Sequence, residues 1–558
     1  MTPPGPARGD AADGGAPTPP PAATPGPEPP PGPAPAAHGR RIALNTAIFS
    51  VATGLSRVAG LVREVVASSY FGTSGAASAF TVAFQVPNLI RSLFADAALS
   101  AAFVPVFTEL LEHHKRREAF NLAGALFGLI LAVLGVITVV FWLLAGVIMP
   151  LFTGPEITPA LDSLTVGLSR VLFPIVVLLG LNGLLVGVLN AYDHFTIPAL
   201  SPLIWNVVII AGLVALRPLF SGDEELYAYA IGVLAGTVIQ FAMAIPPLKR
   251  VGFELSISTR WRDPRVRRIL RLMLPVTIGL GLINFNLLIN TTLGFRISEE
   301  APAAIDRAFR IYMLPQGMFS VAVATVLFPA LSRFAARADM DGLRRTAANG
   351  VRQIALLLIP AAAATLALAT PITRLVYQRG DFDAESTRQV SEALFWFSFS
   401  LPFAGANLLL TRTYFSLQSP WTPTALAGAT LVINAGVSAS LYGPLGIGGV
   451  VIGTAVASAA MTAGQAYFLR PRLNGIELPQ TLKAVAQMIV AAAVLAGVAY
   501  ASWRGLDALL GRSLPAQIVS VTAALTAGSL AYAAVVLALR IPEARQILQL
   551  LAGRLRRS

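Results

Sequence analysis

The sequence predicts an all-α polytopic membrane protein. Its about fourteen transmembrane helices form two six-helix lobes in parallel pseudo-repeat around a central cavity, plus two C-terminal helices. Three observations carry this reading. Of 558 residues, 55 % are hydrophobic and only 12 % are charged, about half the charge of a soluble domain. From Ile42 onward, long apolar runs alternate with short polar loops. Basic residues gather in every second loop.

A helix needs about 20 apolar residues to cross a bilayer. Runs of that length lie near 42–70, 76–110, 120–151, 160–191, 197–218, 226–247, 266–297, 303–334, 346–370, 386–417, 421–441, 445–469, 482–503 and 515–540. Several exceed the bilayer thickness, so they tilt or project beyond it. Residues 1–40 are rich in Pro, Ala and Gly. Such a tract buries no core, is expected to be disordered, and has no apolar stretch of the secretory-signal type. The expected organisation is a cytoplasmic tail (1–40), an N-terminal lobe (41–248), a C-terminal lobe (249–472), two further helices (473–540) and a basic tail (541–558).

The loops fix the orientation. Even-numbered loops carry Lys115, Arg116 and Arg117; Lys249, Arg250, Arg260, Arg262, Arg265, Arg267 and Arg268; Arg333, Arg337, Arg344 and Arg345; and Arg470, Arg472 and Lys483. Most odd loops are acidic or neutral: Glu156 and Asp162; Asp223, Glu224 and Glu225; Glu299, Glu300 and Asp306. Loop nine is mixed, and loop thirteen carries Arg504 and Arg512 against Asp507. The positive-inside bias places both termini in the cytoplasm. An internal echo supports two lobes. Phe195-Thr196-Ile197-Pro198 corresponds to Trp421-Thr422-Pro423, and Phe103-Val104-Pro105 to Leu327-Phe328-Pro329.

Composition excludes several classes. The net charge of +13 needs no nucleic acid to explain it in a membrane protein. There is no cysteine, so no disulfide or thiolate site, and four histidines make a metal site improbable. No Gly-x-x-x-x-Gly-Lys-Ser/Thr loop is present for ATP hydrolysis.

Charge inside the apolar runs points to the site. Arg57, Arg63 and Glu64 share the first run; Arg91 and Asp96 sit in the second; Arg310 stands early in the eighth. Ionised groups at membrane depth cost several kcal/mol and are paired or line a wet cavity. Arg57 and Glu64 are seven apart, two helical turns, so they share a face with Gly60. Arginine stays charged and its planar fork fits phosphate oxygens. A cavity holding these arginines suits a diphosphate. The alternative account is structural: interhelical ion pairs or snorkelling. Asn284, Asn286, Asn290 and Asn434 form a possible ion site or polar network, for which interhelical hydrogen bonding is the favoured role.

The motifs Ser56-Arg57-x-x-Gly60-x-x-Arg63-Glu64, Phe84-x-x-Pro87-Asn88-Leu89-x-Arg91, Ala101-x-Phe103-Val104-Pro105 and Phe328-Pro329-x-Leu331-Ser332 resemble the MurJ (MviN) lipid II flippases. That family belongs to the multidrug/oligosaccharidyl-lipid/polysaccharide exporter superfamily. Tyr377-x-x-Gly380-x-Phe382 and Tyr414-Phe415-Ser416 extend the likeness, which runs from about residue 42 to 540. The resemblance implies export of undecaprenyl-diphosphate-linked disaccharide-pentapeptide across the bacterial inner membrane for peptidoglycan synthesis. It implies that Arg57, Arg63, Arg91 and Arg310 line the central cavity, that Glu64 pairs within it, and that the last two helices form a groove for the polyprenyl tail. It implies a transporter rather than an enzyme, with no cofactor, acting as a monomer. Its partners would be lipid II, membrane lipids and the cell-wall synthesis machinery. The chain departs from the family where Ser78 and Met313 replace acids found in relatives. Spans seven, eleven and twelve also lack the carboxylates of a sodium-coupled design. Membrane potential is the other candidate drive.

Three rival readings differ in their residues. A flippase for another polyprenyl-diphosphate-linked oligosaccharide would share the architecture. A drug/cation antiporter would need a buried coupling carboxylate in a cavity that is not cationic. A membrane enzyme would need an acid/base or metal-binding cluster, and none is seen.

Overall fold

Backbone amides in hydrocarbon must bond within their own segment, so each apolar run becomes a helix and each Gly or Pro cluster becomes a bend. The computed structural model describes residues 35–545, apart from 95, 96, 156, 193, 195, 254–257, 259 and 260. Asp96, residues 1–34 and residues 546–558 therefore lie outside the described residues. Two units are distinguished, Met1–Ile48 and Phe49–Ser558. What is described of the first is helical; the site and its surroundings belong to the second.

In chain order the α-helices are α1 (Pro35–Phe71), α2 (Gly75–Phe94), α3 (Ala97–Glu112), α4 (Arg116–Ile148), α5 (Pro150–Thr153), α6 (Pro159–Leu172), α7 (Ile175–Ala191), α8 (Thr196–Leu216), α9 (Leu226–Arg250), α10 (Pro264–Gly294), α11 (Ala301–Pro315), α12 (Val321–Ala336), α13 (Met340–Ala367), α14 (Ala369–Tyr377), α15 (Ala384–Ser398), α16 (Leu401–Ser416), α17 (Trp421–Leu469), α18 (Leu478–Leu510) and α19 (Leu514–Ala538). Among the described residues all regular structure is helical. α1 begins at Pro35, inside the tract expected to be disordered; proline is at home in a first helical turn and alanines follow it.

Nine stretches of the described residues are long and apolar enough to cross a bilayer, or ten when α15 and α16, bent by 49° at their junction, count as one. Length alone undercounts one of them. α17 has 49 residues, but Gly446 sits at φ 54°, ψ −134°, a conformation open to glycine. Ser438 Oγ donates to the carbonyl of Val450 at 2.8 Å. Twelve residues of straight helix would separate them by about 18 Å. The chain therefore folds back at Gly446, close to the break expected between 441 and 445.

Helix ends follow local chemistry. Asp263, Asp339 and Asp383 cap α10, α13 and α15 by accepting from the amides of Arg265, Gly342 and Ser386. Pro315 ends α11, and a single π-helical turn (Gln316–Ser320) joins it to α12. One core gathers Phe103, Phe107, Leu126 and Phe173 with Val266 and Ile269 of α10. A second gathers Tyr377, Phe382, Phe397 and Tyr414. α18 and α19 lie side by side and pack on α13 through Met488, Leu495 and Tyr532.

Candidate functional site: a buried arginine–carboxylate cluster

The charges of α1 and α11 meet inside the protein. Arg63 is buried, donates from Nε to Glu64 Oε1 at 3.2 Å, and lies 4.9 Å from the centre of the Trp205 ring. The indole is held in place, since Trp205 Nε1 donates to Thr237 Oγ1 at 3.1 Å. Arg310 reaches the same Glu64 oxygen at 3.1 Å through its NH1 group. Its Nε donates to Asp306 Oδ2 at 2.8 Å, one helical turn back on α11. Glu64 is thus shared between a guanidinium of α1 and one of α11. Gln85 of α2 closes the set, donating from Nε2 to Asp306 Oδ1 at 3.5 Å. A cavity of about 40 Å³ lies among Glu64, Gln85, Tyr229, Asp306, Arg307 and Arg310. That is room for about three waters, so the site is nearly closed around Glu64 in this conformation.

Arg57 and Arg91 stand apart from this knot. α1 and α2 run antiparallel through the turn at Gly72. Going from Arg63 to Arg57 on α1, or from Gln85 to Arg91 on α2, covers about 9 Å in the same direction, away from that turn. Arg57 is exposed and, among the described residues, forms no hydrogen bond or ion pair. Its NH1 group comes within 3.8 Å of where a Cβ on Gly317, in the π-turn, would stand. Arg91 donates to Asn88 Oδ1 at 3.0 Å, and Asn88 donates to Asn284 Oδ1 at 3.4 Å.

The other asparagines serve a different place. Asn434 donates to Asn290 Oδ1 at 2.8 Å and to Asn286; Asn290 donates to Thr454 Oγ1 at 2.8 Å; Ser438 donates to Asn434 Oδ1 at 3.3 Å. These bonds tie α10 to both arms of α17. Asn284 is not part of that cluster. Among the described residues no three His, Cys, Asp or Glu side chains converge on a metal position.

Sequence reasoning passed over Asp306, Arg307, Gln85 and Trp205. Asp306 was counted with an acidic loop, yet it is buried in α11. Its i,i+4 spacing to Arg310 was the available signal. Arg307 is buried too and donates to Ser68 Oγ at 2.9 Å.

Beyond the knot, on the side of Gly72, the structure is sealed. Asp381 N donates to the carbonyl of Ser69 at 2.9 Å, Thr73 Oγ1 to Ser386 Oγ at 2.9 Å, and Ala303 N to Ser78 Oγ at 3.1 Å. Gly380 has φ +60°, and a Cβ there would meet the Ser69 carbonyl oxygen at 2.1 Å, so only glycine allows this approach. Ser78 serves this seal by accepting from Ala303 N. A separate apolar groove of about 650 Å³ runs between α13, α16, α17 and α18, past Ile359, Phe403, Val485 and Ile489. α19 contributes no lining residue to it.

Known proteins resemble this chain in sequence and in fold. A family described as "Lipid II flippase MurJ" matches residues 67–507. The lipid II flippase MurJ of Burkholderia cenocepacia is 32 % identical over 457 residues, 80 % of this chain and 87 % of that one. The probable lipid II flippase MurJ of Rhizobium meliloti is 30 % identical, over 84 % of this chain and 88 % of its own. Among solved structures, a lipid II flippase MurJ in an inward closed conformation superposes with a TM-score of 0.74 at 21 % identity, over 88 % of this chain and 99 % of that one. An inward-facing multidrug resistance MATE family transporter of the MOP superfamily follows with 0.63 at 16 % identity, over 76 % and 94 %. At these identities the two structures speak for the fold.

Proposed function

The chain belongs to the lipid II flippase MurJ family, and from that membership we propose how it carries its cargo. It is a multi-pass membrane transporter of peptidoglycan synthesis, not an enzyme. In our reading about fourteen helices form two lobes, 41–248 and 249–472, with both termini in the cytoplasm and two helices appended at 473–540. The cytoplasmic side is then the end of Arg57 and Arg91, and the seal at Gly72 and Gly380 closes the outer side.

The observation that carries the mechanism is the sharing of Glu64 by Arg63 and Arg310. Buried guanidiniums need a counter-ion, and in the resting site a carboxylate supplies it. A diphosphate offers the same guanidiniums more charge and more oxygens in a two-point geometry. Arg57 and Arg91 meet the diphosphate first, Arg63 and Arg310 take it from them, and Glu64 is released. Releasing Glu64 cuts the tie between α1 and α11 beside the outer seal, so cargo binding and outward opening are coupled. The sugar-peptide head crosses between the lobes while the polyprenyl tail stays in lipid against the apolar groove of α13, α16, α17 and α18. Membrane potential favours return of the cationic lobe, at about 2.3 kcal/mol per charge per 100 mV. The amide cluster of Asn286, Asn290 and Asn434 holds α10 to α17 and needs no ion.

Complementation in a bacterium depleted of its own flippase tests the reading. Wild type should restore growth and cell shape, while Arg57→Ala, Arg91→Ala and Arg310→Ala at equal membrane levels should not. Failure of a well-inserted wild type would point to another polyprenyl-diphosphate-linked cargo. Full rescue by all three variants would return the arginines to a structural role.

A further inference from the structure

A second polar pocket lies far from the arginine knot. It opens where the first turns of α13, the start of α18 and the chain just past α19 converge, at the end of α13 remote from Gly380. Its volume is about 750 Å³. Arg345, Arg352, Lys483 and Arg540 face Glu477 and Glu543 across it, four cations against two carboxylates. Arg352 is already spent: its NH1 holds Glu477 at 2.9 Å and its Nε holds Glu543. The side chains of Arg345, Lys483 and Arg540 are exposed on the rim and, among the described residues, form no hydrogen bond or ion pair. One atom of the interior is also unsatisfied. Glu543 is 3 % exposed, yet its Oε2 has no partner. A buried carboxylate oxygen left without a donor costs free energy that something at the site must offset.

We propose that this pocket holds the head group of an anionic phospholipid of the phosphatidylglycerol class. The two features require different parts of one ligand. Three unpaired cations on the rim ask for a phosphate oxyanion. Glu543 lines the same pocket and its buried Oε2 lacks a donor, so a small turn of the carboxylate toward the pocket would let it accept from a hydroxyl of the terminal glycerol. The surplus of two positive charges selects a net anion over a zwitterion. The position suits a lipid as well: these residues sit at helix ends, where basic side chains meet head groups at the membrane surface. Arg540 and Glu543 follow directly on α19, and Lys483 sits in the first turns of α18. A bound head group would therefore clamp the C-terminal helix pair to α13, which also forms one wall of the apolar groove.

The test is intact-protein mass spectrometry of the purified full chain, titrated with dioleoyl phosphatidylglycerol, dioleoyl phosphatidylcholine and soluble glycerol phosphate. Wild type should retain one phosphatidylglycerol at a concentration at least tenfold below that needed for phosphatidylcholine. Each rim cation is worth about fivefold, so K483Q should weaken retention by about that factor and R345Q/K483Q/R540Q by more than tenfold. Because K483Q alone changes one exposed side chain, it reads the site even if the triple variant fails to fold. Equal retention of the two lipids, or an unchanged titration in K483Q, overturns the proposal. Competition by glycerol phosphate at the lipid's own concentration overturns it in favour of a soluble phosphate ligand. Loss of this site would leave the arginine-knot mechanism untouched, so the two readings fail separately.

Discussion

Glu64 decides the chemistry at the scale of single residues. Two guanidiniums depend on one carboxylate, so its charge and theirs can be varied separately. Arg310→Lys keeps the charge but loses the fork that spans Glu64 and Asp306. It should lower lipid II flipping in reconstituted vesicles more than tenfold, while the protein stays folded. Arg310→Ala should do the same and also destabilise, because the buried Asp306 carboxylate loses its guanidinium partner while Glu64 keeps only Arg63. Glu64→Gln removes the competing anion. It should tighten lipid II binding severalfold and slow turnover, as measured by retention of lipid II and by flipping on the same preparation; weaker binding would sink the counter-ion exchange. The arginines of this site were legible in the sequence because charge inside an apolar run stands out. Asp306 was not, because it sits next to a loop and reads as its surface, and Arg307 beside it in the same turn drew no role of its own. Trp205 and Gln85 were invisible for another reason: their partners lie on other helices, and pairing across helices leaves no periodic mark.

Among elements, two joints bear on the proposed motion. The seal beside Gly72 includes a backbone contact, with the Gly380 turn set against the end of α1. Gly380→Ala places a methyl where the Ser69 carbonyl stands, so the seal should be held apart. The natural sequence has no cysteine, which makes the readout simple. Thr73→Cys should be modified by an external thiol reagent slowly in the parent and severalfold faster with Gly380→Ala added; equal rates would mean that the seal opens elsewhere. The second joint is the amide cluster between α10 and α17. Asn434→Leu leaves Asn286 and Asn290 without their common donor and should lower stability by about 1–2 kcal/mol. Sodium should not change the thermal midpoint of the parent. Helix positions were readable because Pro and Gly punctuate them: the break expected near 441–445 falls at Gly446. The π-turn after Pro315 was not readable, because one extra residue in a helical turn does not disturb an apolar pattern.

For the whole molecule, the question is how many times the chain crosses the membrane. Nine stretches of the described residues pass a simple length-and-apolarity test, or ten with the bent pair as one, against the about fourteen that the sequence predicts. Loop charge gives an independent count, because it is read outside the runs. It predicts that Gly475→Cys labels from the cytoplasm and Gly511→Cys from outside; the reverse pattern would invert the topology. Trp205 gives the working molecule an optical channel. Its indole lies against the Arg63 guanidinium that the incoming diphosphate is to claim. Its emission should therefore shift each time cargo loads and relax each time cargo leaves. Each loading then becomes a change in emission that can be timed, and that change should vanish in Trp205→Phe, whose five other tryptophans still emit.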